Sequence, residues 1–259
     1  MRIAVITGAS SGMGRESVLQ LNDEIEAIEE FWLIGRRQER MEAISALLTK
    51  RSRILSWDLG DESSFSAYGE LLRTERPEIV FLVNAAGFGR IGQVSELPLE
   101  DCLGMCTVNV RALTAFCRIS LPYMARRSRI LNFASAAAFL PQPRFAVYAA
   151  TKSYVLSFTR ALNQELLGSG CTATAVCPGP VRTEFFERAE TTGEIPLYKH
   201  LFMADPRKVV RKAVIDAVLQ KELSVYGLSM QLFLALSKLP QGLLLRVLHC
   251  ITGRECAGD

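Results

Sequence analysis

Short apolar runs rich in β-branched residues alternate along this chain with longer stretches whose apolar positions recur at helical spacing. RIAVI (2–6), FWLIG (31–35), RILSW (53–57), IVFLVN (79–84), RILNFA (129–134), TATAVC (172–177) and LSVYG (223–227) read as strands. Residues 14–27, 38–49, 62–75, 98–124, 146–167 and 206–221 read as helices, the fourth bent before Pro122. IVFLVN is almost wholly apolar, as a strand buried on both faces must be. Strict βα alternation predicts an α/β fold: a doubly wound, parallel, seven-stranded sheet with helices on both faces. Right-handed crossovers place the carboxyl ends of the strands on one edge, where ligands bind near the point at which strand order reverses.

No linker, repeat or low-complexity tract interrupts the series, so one domain is expected over residues 1–259. Two segments stand outside the alternation. Residues 183–205 follow a Pro-Gly-Pro turn and read as a substrate lid. Residues 228–251 are strongly apolar and broken by Pro240 and Gly242, which predicts two short helices. This tail has three readings: a cap over the site or a subunit contact, a peripheral contact with a membrane interface, or ordinary core-facing helix.

Composition narrows the function. The chain of 259 residues is 49% apolar and 22% charged, with a formal net charge of +3. It holds no basic block and no aromatic–basic interleaving, so nucleic acid is not an expected partner. Seven cysteines without a CxxC pair read as reduced thiols in the cytoplasm. Two histidines far apart, His200 and His249, argue against a zinc site, and no metal is expected. The five residues between Arg2 and Gly8 are too few for a signal-peptide core. No run of 18 uninterrupted apolar residues occurs, so no ordinary membrane span is expected.

The first strand runs into Thr7-Gly8-Ala9-Ser10-Ser11-Gly12-Met13-Gly14 and then a helix. Glycines there permit a tight turn and let backbone approach a pyrophosphate at the helix N-terminus, where free N–H groups and the dipole favour negative charge. No Gly-Lys-Ser/Thr ending appears, so this is not a Walker A loop. The second strand ends Gly35-Arg36-Arg37, where a carboxylate would accept from ribose hydroxyls. Cations there suit the extra phosphate of NADP instead, so NADP is the expected cofactor, with Arg36 leading and Ser10 or Arg37 helping.

Tyr148-Ala-Ala-Thr-Lys152 opens the fifth long helix, Ser135 follows the fifth strand, and Asn109 lies inside the fourth helix. Asn84-Ala85-Ala86-Gly87 follows the fourth strand and Pro178-Gly179 the sixth. With the glycine loop, in this order and spacing from about residue 2 to 183, the chain resembles the classical short-chain dehydrogenase/reductase family, whose members share a Rossmann fold. An ordinary tyrosine has a pKa near 10 and exchanges protons poorly at neutral pH. Tyr148 and Lys152 lie one helical turn apart, so the ammonium is expected to favour the phenolate and lower that pKa. Tyr148 then serves as general acid for carbonyl reduction and base for the reverse. Ser135 hydrogen-bonds the substrate oxygen as charge develops on it.

The resemblance implies more. Lys152 also holds the nicotinamide ribose, and Asn109 supports a water-linked proton relay. Ser10, Ser11, Gly12, Met13 and Gly14 border the cofactor with Gly8, and Asp58-Leu59 lies near the adenine. Asn84 steadies the central sheet while Ala85, Ala86 and Gly87 line the adenosine side. Pro178, Gly179, Val181 and Thr183 belong to the stretch that contacts the nicotinamide carboxamide. Pro180 departs from many relatives, and the glycine loop lacks the basic residue some NADP users place there.

Ala136-Ala137-Ala138-Phe139-Leu140-Pro141, Phe145, Val147 and the aromatic residues of 183–205 suggest a hydrophobic ketone or alcohol as substrate, such as a steroid, an acyl chain or an aromatic ketone. The resemblance implies a homodimer or homotetramer paired through helices 98–124 and 146–167. The leading reading is an NADP(H)-dependent oxidoreductase interconverting a ketone and a secondary alcohol. A non-catalytic NADP-binding regulator or scaffold of the same fold is the alternative, and an intact Ser135, Tyr148 and Lys152 argues against it.

Overall fold

The computed structural model describes residues 1–185, 189, 203–239 and 242. Seven parallel strands form one sheet in the order β3-β2-β1-β4-β5-β6-β7. They are β1 (Arg2–Thr7), β2 (Glu30–Gly35), β3 (Arg51–Ser56), β4 (Glu78–Asn84), β5 (Met124–Phe133), β6 (Thr172–Val176) and β7 (Leu223–Ser224). Strand order reverses between β1 and β4, which opens a crevice above their carboxyl ends. The doubly wound parallel sheet expected from the βα alternation is therefore present.

Period-2 alternation sends successive side chains to opposite faces. Ile3, Val5, Trp32 and Ile34 enter one core, while Ala4, Ile6, Phe31 and Leu33 enter the other. The first core is closed by α3 (Ser63–Glu75), α5 (Leu113–Ser120) and α6 (Ala146–Glu165) through Tyr68, Leu72, Phe116, Val155 and Leu162. The second is closed by α1 (Gly12–Glu24), α2 (Gln38–Ser45) and α7 (Pro206–Val218) through Val18, Leu21, Met41, Val210 and Val214. Both faces of the strands are covered, which is why these segments read as near-continuous apolar runs.

Three elements differ from the expectation. β5 begins at Met124, five residues before the predicted start, because polar Arg126, Arg127 and Ser128 mask its first half. Its register against β4 shifts between Ile79 and Phe81, and Arg127 adopts a left-handed backbone with φ 67°. β7 is only Leu223–Ser224. The long fourth helix is composite. It comprises α4 (Leu99–Cys106), a π-helical stretch Thr107–Ala112, α5 and a 3₁₀ turn Leu121–Tyr123 that contains Pro122. By length and composition Leu99–Tyr123 could cross a bilayer. Met105, Ala112, Leu113 and Phe116 of this stretch pack inside the protein.

At the end of β6 the chain departs at Val181 and is met again at Ala204, which pairs with it in a parallel bridge. The Ala204 N–H donates to the Pro180 carbonyl, and the Arg182 N–H donates to the Ala204 carbonyl. Most of the predicted lid, 183–205, lies outside the described residues. Of the tail, α8 (Leu228–Leu236) is described, and the predicted second helix lies outside the described residues.

Candidate active site

The three glycines after β1 serve three separate needs. Gly8 has φ +69°, and a Cβ there would stand 2.7 Å from the Ala86 nitrogen. Gly14 packs against the Gly8 carbonyl, which a Cβ would approach to 2.2 Å. Those two pin the loop against the chain after β4 and against itself. Gly12, with φ +54°, faces open space except for Thr183 at 3.5 Å from its ideal Cβ. Ser11 is the N-cap of α1, yet its side chain makes no capping bond. The first N–H groups of α1 therefore carry no side-chain cap beside an open glycine, an arrangement suited to the oxygens of a phosphate.

The Ser11 hydroxyl accepts instead from Arg37 Nη2 at 2.5 Å, and Ser10 Oγ accepts from Arg37 Nε at 3.3 Å. The third arm of Arg37 donates to Glu184 Oε2 at 2.8 Å, and Arg40 donates to the other oxygen of the same carboxylate. Those two guanidinium groups, Arg37 first, hold the Glu184 carboxyl down at about 2. Arg36 is exposed and stands 3.9 Å from Asp58. Arg37, rather than Arg36, is thus the cation that touches the glycine loop. Leu59 and Met13 turn their side chains toward core, leaving backbone for any ligand there.

After β4, the Ala86 N–H donates to Thr7 Oγ1, which fastens Asn84–Gly87 to the end of β1. Asn84 is buried and donates to Asn132 Oδ1 at 2.8 Å, and Asn132 donates to Thr159 Oγ1 at 3.0 Å. These buried amides lock β4, β5 and α6 together below the site, as expected for a residue that steadies the sheet. Asn109 sits in the π-helical stretch. Its Oδ1 accepts from the Phe88 N–H, and its Nδ2 donates to the Phe88 carbonyl and to Thr151 Oγ1. Gly87 lies against this amide, where a Cβ would stand 2.9 Å from Asn109 Oδ1 and 3.4 Å from Lys152 Nζ.

Ser135 caps the 3₁₀ turn Ala136–Ala138, its Oγ accepting from the Ala137 N–H. Tyr148 and Lys152, in the first turns of α6, are both buried. Lys152 Nζ donates to the Phe133 carbonyl at 2.6 Å and lies 5.7 Å from the centre of the Tyr148 ring. Burial pushes the Tyr148 hydroxyl well above its ordinary pKa, with the Ser135 hydroxyl pulling the other way. The direction is opposite to the lowering expected from Lys152, because burial disfavours the phenolate. Burial also lowers Lys152 to about 8.

The surroundings are aromatic. Phe145 stacks on Tyr148 with ring centres 4.3 Å apart, and Phe185 lies 5.3 Å away. One face of α8 closes the far side. Met230 packs so closely on Gly179 that a Cβ there would meet its sulfur at 2.6 Å, and Phe233 meets Phe139 at 5.9 Å. The Ala136 N–H donates to the Pro178 carbonyl, joining the Ser135 turn to the end of β6.

The profile of the short chain dehydrogenase family matches residues 2–193. The chain belongs to this family of oxidoreductases. An oxidoreductase of Staphylococcus epidermidis is 30% identical over 188 residues, covering 72% of this chain and 80% of that one. The NADP-dependent 3-hydroxy acid dehydrogenase of Schizosaccharomyces pombe is 32% identical over 70% of this chain and 72% of its own. A short-chain dehydrogenase from Sphingobium yanoikuyae, solved in complex with NADPH, superposes with a TM-score of 0.79 at 25% identity, covering 100% of this chain and 98% of that one.

Among the predicted residues, Asn109, Ser135, Tyr148 and Lys152 converge beside Gly87, and Ser10, Ser11 and Arg37 gather at the glycine loop. Sequence reasoning overlooked Arg40, Glu184, Thr151 and Met230. Arg40 carried a usable signal, since it follows Arg37 at i+3 on the rim of α2. Thr151 lies inside the Tyr148–Lys152 turn without a signal of its own, and Glu184 and Met230 reach the site through tertiary contact.

Proposed function

We propose that this short-chain dehydrogenase interconverts a ketone and a secondary alcohol with NADP(H), on a hydrophobic substrate, using Tyr148 as general acid and base. The observation that carries the reading is a buried Tyr148 beside Ser135 and Lys152, walled by Phe145 and Phe185. The residues fit a dinucleotide. Open backbone at Gly12 suits a pyrophosphate, and Arg37 with Ser10 and Ser11 suits an adenosine phosphate, with Arg36 and Asp58 at the exposed rim. Asn84–Gly87 and the stretch Pro178, Gly179, Val181 and Thr183 would flank the remainder. When bound, NADP(H) supplies or accepts the hydride.

In the reductive direction Tyr148 gives its hydroxyl proton to the substrate oxygen while Ser135 donates a hydrogen bond to that oxygen. Lys152, mostly charged at pH 7, stabilises the phenolate left behind. Asn109 holds Phe88 and Thr151 in register with that lysine. Arg37 favours NADP(H) over NAD(H), a reading also supported by the NADP-dependent yeast relative and the NADPH-bound neighbour. Pairing of copies through α4 and α6 is likewise proposed, since Leu99, Leu103 and Tyr154 are exposed there.

The test is NADPH oxidation by purified protein against steroids, acyl ketones, aromatic ketones and small diketones, with NADH alongside. Turnover with a hydrophobic ketone, preference for NADPH, and a loss of about 100-fold or more in Tyr148→Phe are expected. Wild-type turnover in Tyr148→Phe would refute the proton-transfer role. Absence of turnover in folded protein that still binds NADPH would favour the regulator.

A further inference from the structure

The carboxylate of Glu184 occupies the very guanidinium groups that an adenosine phosphate would use. Arg37 engages three acceptors through Nε, Nη1 and Nη2: Ser10, Glu184 and Ser11. Two of these lie on the glycine loop after β1, and the third lies beyond β6. Arg40 completes a fork around the same carboxylate. Thr183, the neighbour of Glu184, abuts Gly12. The ion pair therefore runs from the rim of α2, past the mouth of the glycine loop, to the chain after β6. Arg36 remains outside this cluster.

We propose that Glu184 is a specificity-determining residue, an internal anion that competes with the 2′-phosphate of NADP(H) for Arg37 and Arg40. This rests on the NADP reading above and deepens it. A carboxylate and a phosphate monoester make the same charge-assisted, forked contact with guanidinium, so one displaces the other. The dianionic phosphate outcompetes Glu184, and a ligand without that phosphate leaves the ion pair in place. Glu184 thereby weakens NADP(H) without touching the determinants shared with NAD(H). Glu184 stays ionised across the working pH range, so the competition is constant there.

The experiment is calorimetric titration of the full chain with 2′,5′-ADP, 5′-AMP, NADP and NAD, requiring no substrate. Glu184 is partly exposed and Gln keeps its size and shape, so Glu184→Gln is expected to fold as wild type, checked by thermal melting. Glu184→Gln should bind 2′,5′-ADP and NADP about threefold to tenfold more tightly, with 5′-AMP and NAD changed less than about twofold. In Arg37→Ala the same substitution should have lost most of its effect. Unchanged or weaker 2′,5′-ADP binding in Glu184→Gln, or an equal gain for 5′-AMP, overturns the competition. No preference of wild type for 2′,5′-ADP over 5′-AMP overturns the NADP reading itself.

Discussion

Lys152 shows how much of the site's chemistry is set by environment rather than residue type. Its burial lowers the pKa from 10.5 to about 8, so the folded protein binds that proton less tightly than the unfolded chain. Between those two values the unfolded state holds more protons, and stability rises with pH. Below pH 8 the buried ammonium costs stability in full, and above 10.5 the cost has gone. Cofactor-free Lys152→Met should therefore gain most in Tm over wild type near pH 7, with the gain shrinking towards pH 10. A pH series of melting curves for the two proteins measures this, and a Tm difference that is flat with pH would contradict it. Turnover should be lost in Lys152→Met at every pH. Tyr148 teaches the same lesson, for burial pushes its hydroxyl up while the Ser135 hydroxyl pulls it down.

At the scale of elements, the π-helical stretch Thr107–Ala112 is what brings Asn109 to the site. A π turn inserts a residue into an α-helix and turns the following side chains by roughly a third of a turn, a device common at functional sites. The Asn109 side chain then replaces missing backbone partners of Phe88 and anchors Thr151. Asn109→Ala strips partners from a buried backbone N–H, a carbonyl and a hydroxyl. A loss of about 2–4 kcal/mol in urea unfolding is expected, with turnover falling as Lys152 loses its support. Equal stability would show that the amide does not hold this element. The helix itself was legible from its periodicity, whereas its π segment was not, because a one-residue insertion shifts the apolar stripe without interrupting it. β5 was legible only from Arg129 onward, because its first half gains its pairing from β4 and carries polar side chains.

Across the whole molecule, α8 has two unlike faces. Met230 and Phe233 close the site, while Leu228, Leu232, Leu236 and the following Leu239 are exposed along the other side. A row of leucines at helical spacing beside Lys238 suits two of the roles read for the 228–251 tail, a subunit contact or an interfacial contact with a bilayer. On the membrane reading, wild type is expected to sediment with liposomes. The triple variant Leu228→Ser, Leu232→Ser, Leu236→Ser should stay in the supernatant with unchanged NADPH binding and unchanged molar mass by light scattering. Co-sedimentation of the variant at wild-type level would remove the leucine face from any membrane role.

Local pattern by itself determined the seven-stranded alternation and the glycine turn, because each depends on periodicity or short spacing within one segment, whereas the Ser135, Tyr148 and Lys152 set came from a family resemblance spanning most of the chain. Tertiary structure alone decided which arginine faces the glycine loop, that Glu184 answers it across 147 residues, and that α8 seals Gly179. Those outcomes depend on distances between segments far apart in the chain and on exclusion of water, and neither quantity is written in a linear pattern.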